Sequence, residues 1–336
     1  MLRIVGFCII ALLLLTGIIG GLYFARVSHL KTPPPLPEPM VITPEREPST
    51  SPTPEDEEKN EEKEDAVLPP PVETRPETIS ASVAPAAQDW FNQNGTFDEV
   101  GDMKESKMED WWLNSGAYLS IKDGIAQTVQ GELEKNDKRR IYYKGYNASE
   151  TDDGYHPQNI FRLVTKTQWK NFRQECFFKL NRYILSEDEH RSESNGLLLF
   201  NRYQDENNLY YTGIRVDGTV VVKKKINGEY FTLDQKAVLP GTYDRKKNPN
   251  LLPVGKWIGV RSDVTTRADT AAIIKVYLDL AGDGKWELAL TVTDTGKKYG
   301  GPVIEEAGYA GIRTDFMDVE FRDYRIDELP ADPKKQ

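Results

Sequence analysis

The chain has 336 residues, with 53 acidic against 43 basic side chains and a net charge of −10 at pH 7. That balance excludes a broad basic surface for nucleic acid, and only two cysteines exclude a disulfide-built scaffold. The acidity is unevenly spread: residues 31–88 carry 13 acidic and 5 basic side chains, which leaves residues 89–336 at −4.

Residues 4–24, IVGFCIIALLLLTGIIGGLYF, are an uncharged apolar run of about the 20 residues that cross a bilayer core. No small-residue cleavage site follows it, so the expectation for residues 1–30 is an uncleaved transmembrane signal anchor. Arg3 on one side and Arg26 with Lys31 on the other orient it weakly; a cell-membrane, single-pass placement with the body extracytoplasmic rests on the character of the body. Residues 31–88 hold 14 of the 21 prolines and no aromatic residue. Such a composition buries too little apolar area to fold, and it reads as a disordered linker. A 58-residue flexible coil reaches about 40 Å, and proline runs extend it. Residues 89–328 are expected to form one all-β domain, followed by a polar tail at 329–336.

Strand-like runs recur through that domain between turn signals: 117–121, 125–129, 160–165, 172–182, 257–263, 271–280, 285–293, 308–313 and 316–326. No sustained helical period interrupts them. Residues 196–234 add four strands joined by turns at 204–207, Asp217-Gly218 and Asn227-Gly228, where the glycines supply the positive φ of two-residue hairpins. A dozen or so short strands imply a β-sandwich of two antiparallel sheets. Cys176 is the domain's only cysteine, so the core must hold the fold unaided.

Strict alternation along 196–234 places Leu198, Phe200, Leu209, Tyr211, Val220, Val222, Ile226, Phe231 and Leu233 on a core face. The opposite face then carries Asn201, Tyr203, Tyr210, Thr212, Lys223, Lys225 and Tyr230, together with Asn208 and Thr232. Amide, hydroxyl and phenol groups beside two lysines suit a hydroxyl-rich ligand, and the lysines favour an acidic one. In this register Tyr210 and Tyr230 point toward ligand and Tyr211 into the core.

Four segments in this order carry a family likeness: 112–125 with its Asp123-Gly124 turn, 208–218, Val254-Gly255-Lys256-Trp257 through Val260, and Gly308–Arg313 through Val319–Tyr324. Together they cover nearly all of 111–326, and the domain resembles the concanavalin A-like lectin/glucanase superfamily, in its laminin-G-like and 3-keto-disaccharide-hydrolase-like bacterial branches. The resemblance implies a jelly-roll sandwich with a concave sheet that often holds glycans. It leaves activity open, because the superfamily contains lectins, hydrolases and lyases.

Catalytic signatures are incomplete. Asp315 through Glu320 match the glucanase carboxylate spacing only incompletely, with Asp315 out of phase, and Asp318, Glu320 and Arg322 read as a solvated, charge-paired face. Lyases of this fold class use Tyr with His, yet no strand carries a histidine; His156 and His190 fall in loops and read as solvated. Glu175 is the one strand carboxylate suited to hydrolysis, with a salt bridge as its plainer reading. Asp279–Gly284 approximates a calcium loop, but position three is Ala281 and position twelve Leu290, so a hairpin turn is the plainer reading; no cofactor is expected, with Ca²⁺ at this loop as the lesser alternative. The leading expectation is a membrane-anchored, externally displayed glycan-binding domain. A glycan-cleaving enzyme on the same sheet and a structural surface domain remain as alternatives.

Overall fold

The structure is a computed structural model that describes residues 90–188 and 191–332. The expected anchor at 4–24 and linker at 31–88 lie outside the described residues. Among the described residues no helix is long and apolar enough to cross a membrane.

The domain is all-β: two antiparallel sheets packed face to face. The eight-stranded sheet runs in the order β1 (Gly95–Asp98), β3 (Tyr118–Lys122), β4 (Ile125–Gln127), β15 (Met317–Glu328), β6 (Phe172–Tyr183), β11 (Trp257–Thr266), β12 (Ala272–Asp279) and β13 (Glu287–Asp294). The seven-stranded sheet runs β10 (Glu229–Ala237), β9 (Thr219–Ile226), β8 (Asn208–Arg215), β7 (Gly196–Asp205), β14 (Gly308–Asp315), β5 (Ile160–Trp169) and β2 (Trp111–Ser115). The four-strand meander forms as expected. Its turns use the anticipated backbone: Gly218 has φ +79°, and Asn227 and Gly228 have φ +49° and +87°.

Between the sheets lie Leu197, Leu199, Ile214, Val220 and Val222 from one side and Phe178, Val260, Ile274, Val292 and Phe321 from the other, each 2% exposed or less. Alternation explains the layer, since residues two apart share a face. Cys176 is buried and unpaired within it.

One helix departs from the all-strand expectation. α1 (Lys138–Tyr146, KRRIYYKGY) has no apolar stripe; among its residues only Arg140 and Tyr143 are buried. Its signal was the cap, because the Asp137 carboxylate accepts the Arg139 N–H at 2.7 Å. Tyr143 moors the helix: its hydroxyl donates to Glu99 at 2.5 Å and accepts the Gly116 N–H at 2.8 Å. Burial pushes the Glu99 carboxyl above its ordinary range, against the lowering effect of these hydrogen bonds.

A polar node crosses the core. Lys224 and Asp294 are fully buried, with Nζ to Oδ2 at 2.9 Å. Tyr210 donates to the same Oδ2 at 2.6 Å, and its oxygen accepts the Ile304 N–H at 3.1 Å. Lys224 also donates to the carbonyls of Gly301 and Pro302, and Asp294 Oδ1 accepts the Gly296 N–H at 2.8 Å. Every strong polar atom is thus answered, which is the condition for burying charge.

The node contradicts the face assigned to Tyr210 from strict alternation. With Tyr210 and Lys224 inward, Thr212 and Asn201 also face inward, and all four are fully buried. Asn201 accepts from Gln174 at 2.9 Å and Ser262 at 2.8 Å across the sandwich and donates to Thr212 at 3.3 Å. Leu198, Phe200, Leu209 and Tyr211, expected in the core, lie instead on the outer face of the seven-stranded sheet. The apolar outer residues misled the pattern because they too are buried, at 2%, 1% and 3% for Leu198, Phe200 and Leu209.

Replacing Asp294 with Ala leaves Lys224 buried and unpaired, so a loss of about 3–5 kcal/mol is expected in urea denaturation of the Asp294→Ala variant. A loss under about 1 kcal/mol would show that the node is not a determinant of stability.

Candidate functional site

The outer face of the seven-stranded sheet is assembled across six strands. A bulge in β7 decides part of it. Tyr309 of β14 pairs with Tyr203 and Gly311 pairs with Phe200, so Asn201 and Arg202 together oppose Ala310. Arg202 adopts φ +49°, an uncommon conformation for a residue with a Cβ. Its buried guanidinium compensates by donating to Lys170 O at 2.8 Å, Ile304 O at 2.7 Å and Thr266 Oγ1 at 2.7 Å. The extra residue shifts the phase, so Asn201 points in while Tyr203 points out.

Of the seven candidate residues, Tyr203, Lys223, Lys225 and Tyr230 therefore share the outer face, and Asn201, Tyr210 and Thr212 do not. Lys223 pairs across strands with Tyr211 on one side and Thr232 on the other. Lys225 lies opposite Tyr230 and Leu209. Its ammonium sits 4.8 Å from the Tyr230 ring centroid and donates to Glu206 O at 2.9 Å. Tyr211 and Tyr230 meet edge to face at 6.0 Å, over a floor of Phe200, Leu209 and Val164.

The reading by alternation missed Tyr211 and two arginines. Arg162 of β5 and Arg313 of β14 are direct cross-strand partners on this face. Like charges so placed repel unless anionic groups answer them. Glu206 lies 3.3 Å from Arg162, and Asp315 lies 2.8 Å from Arg313. Asp315 also takes Arg191 at 3.1 Å. The two arginines are 151 positions apart, so no local motif could reveal them. Between the side chains remains a cavity of about 10 Å³, room for about one water. A ligand would therefore lie on the face rather than in a pocket.

Tyr230 is 37% exposed. Burial raises its phenol pKa, but the Arg313 and Lys225 cations outweigh that and hold it below the ordinary tyrosine value. Its neighbour Tyr211 is shifted the other way by burial.

The other sequence-derived sites resolve into structure. Glu175 is paired with Arg261, with Nε to Oε2 at 2.7 Å. Asp318 is not a surface group: it is 4% exposed and accepts from the Gly131 N–H at 2.9 Å, Gln158 at 2.8 Å and Arg182 at 3.0 Å. His156 is likewise buried rather than solvated, its Nδ1 2.7 Å from Asp152. In the calcium-like hairpin, Asp279 accepts the N–H groups of Gly282, Asp283 and Gly284 at 2.7, 3.2 and 2.6 Å, an Asx-type turn that occupies both carboxylate oxygens. Among the described residues no group of three His, Cys, Asp or Glu side chains is placed to hold a metal ion.

No family model and no curated protein matches the sequence. Solved structures do match the fold. A carbohydrate-binding module from Bacillus subtilis aligns at TM-score 0.40 and 13% identity over 66% of this chain and 98% of its own. A Bacillus subtilis protein of unknown function with a galectin-like fold aligns at 0.38 and 13% over 71% and 99%. The exoplasmic/lumenal domain of VIP36, in a form bound to Ca²⁺ and mannose, aligns at 0.38 and 8% over 70% and 91%. These are sandwich neighbours, and at such scores they carry no argument about the site.

A spectrophotometric or NMR pH titration is expected to show one phenol ionising ahead of ordinary tyrosines, with Tyr230→Phe removing that step. An unchanged curve in the variant would contradict the arrangement around Tyr230.

Proposed function

We propose that this domain binds carbohydrate on the outer face of its seven-stranded sheet and favours acidic sugars. The observation that carries the reading is the cross-strand pair Arg162–Arg313 beside the tyrosine pair Tyr211–Tyr230. Tyrosine rings offer apolar faces to sugar C–H groups, and two guanidiniums a strand apart offer forked donors to carboxylate or sulfate. Lys223 and Lys225 add positive charge beside Arg162 and Arg313, with Asp205, Glu206 and Asp315 as the acidic groups next to them. An anionic sugar would compete with Glu206 and Asp315 for the arginines, which suits reversible binding. The apolar run at 4–24 and the proline-rich, acidic 31–88 support an anchor and spacer that display the domain outside a membrane.

A glycan-cleaving reading is favoured by one observation, the Tyr230 ring 4.8 Å from the Lys225 ammonium with Arg313 lining the same cavity. The Tyr230 hydroxyl would be the acid/base group there, beside two cations that would steady the carboxylate of a uronic acid. Release of unsaturated products from a polyuronate, abolished by Tyr230→Phe, would move the assignment from binding to cleavage.

In calorimetric titrations with oligogalacturonate, Tyr230→Ala and Tyr211→Ala are each expected to weaken binding by about 1–3 kcal/mol. Lys225→Ala and added salt should act in the same direction, through lost charge and screening. Tyr210→Ala should instead lower the melting temperature. Unchanged affinity in both outer-face variants would remove the site from this face.

A further inference from the structure

A second cavity lies on the opposite side of the sandwich. It is a groove of about 500 Å³ over the β1–β3–β4 edge of the eight-stranded sheet, within the size range of small-molecule sites. Its floor is a polar rung. Thr96, Ser120 and Gln127 are direct cross-strand partners, in the order β1, β3, β4. They face outward, because their neighbours Phe97, Leu119, Ile121 and Ala126 pack into the core. Tyr118 supplies an aromatic wall, and Glu132 and Glu134 line the rim.

The walls are fixed without a ligand. The Asp318 carboxylate accepts the Gly131 N–H, and Gln158 donates to Gly131 O at 2.8 Å, which holds the segment after β4. Asn181 donates to Gln130 Oε1 at 2.8 Å. On the far side Arg139 donates from Nε to Asp98 at 2.7 Å and from NH1 to Asp137 at 3.2 Å, with its guanidinium 4.7 Å from the Tyr118 centroid. Asp98 and Asp137 balance Arg139 together with Lys138, which shares Asp98 at 3.0 Å, and the Glu132 and Glu134 rim leaves the groove negative.

We infer that this groove is a second saccharide site, for neutral sugars. Aligned hydroxyls and an amide on one rung match the alternating donor and acceptor needs of sugar hydroxyls. Carboxylates at the rim accept from hydroxyls and repel uronates, the reverse of the arginine face. A preformed, polar groove needs little reorganisation to take such a ligand. The two sites lie on opposite outer faces of one sandwich, so a single domain joins a neutral glycan to an acidic one. This inference does not depend on the arginine face: each site has its own ligand class and its own variants.

The test uses the full chain and calorimetric titration with cellopentaose, laminaripentaose and maltopentaose as neutral probes and oligogalacturonate as the acidic one. At least one neutral probe is expected to bind. The Ser120→Ala/Gln127→Ala double variant should weaken it by about tenfold or more, the scale of two lost hydrogen bonds, with an unchanged melting temperature. Ser120→Trp, which fills the groove, should abolish it. Tyr230→Ala and added salt should leave it intact, and the groove variants should leave oligogalacturonate binding as in the parent chain. Binding by none of the neutral probes overturns the inference. So does neutral binding that survives the double variant and Ser120→Trp, or that disappears with Tyr230→Ala.

Discussion

The buried node of Lys224, Asp294 and Tyr210 sets the phase of the seven-stranded sheet, and the candidate site follows from it. A strand has only two faces, so committing Lys224 and Tyr210 to a carboxylate in the core commits Lys223, Lys225, Leu209 and Tyr211 to the outside. The node also ties β8 and β9 to the end of β13 in the other sheet and to the backbone at 301–304. A lysine in the core costs desolvation that only full satisfaction offsets, and here one carboxylate oxygen and two carbonyls surround its ammonium. Stability and site geometry therefore rest on the same atoms.

The outer face is built the other way, from like charges held side by side by separate carboxylates. Arg162 and Arg313 stand side by side on neighbouring strands, with Glu206 and Asp315 as their counterions. Like charges on neighbouring strands repel, and these two carboxylates offset that repulsion. The opposite groove inverts the pattern: its arginine is locked by Asp98 and Asp137, and its open groups are hydroxyls, an amide and exposed carboxylates. One apolar layer separates the two polar surfaces.

Much of the architecture was legible in the sequence. Asp217-Gly218 and Asn227-Gly228 marked the hairpins, and alternating apolar runs marked most strands, because turn chemistry and period-two burial are local signals. The face assignment failed at β7 and β8 for a physical reason: both faces of these strands are buried, so apolar content did not distinguish them. Phe200 and Tyr211 looked like core, and Tyr210 and Thr212 looked like surface. The Arg202 bulge added a phase change that no periodic pattern carries. β9 and β10 were read correctly because Val220, Val222 and Leu233 contrast with Lys223, Lys225 and Tyr230. Arg162 and Arg313 meet only through the β5–β14 pairing, a contact the sequence does not announce, and α1 was hidden because it buries little apolar surface.

The central claim is that Tyr211 and Tyr230, not Tyr210, face the ligand. Hydroxyl-radical footprinting of the chain, with and without oligogalacturonate, tests it most directly. Labelling of Tyr211 and Tyr230 in the free protein, protection of both by the acidic glycan, and no labelling of Tyr210 in either state is the predicted result. Labelling of Tyr210, or glycan protection that bypasses Tyr211 and Tyr230, would contradict the account.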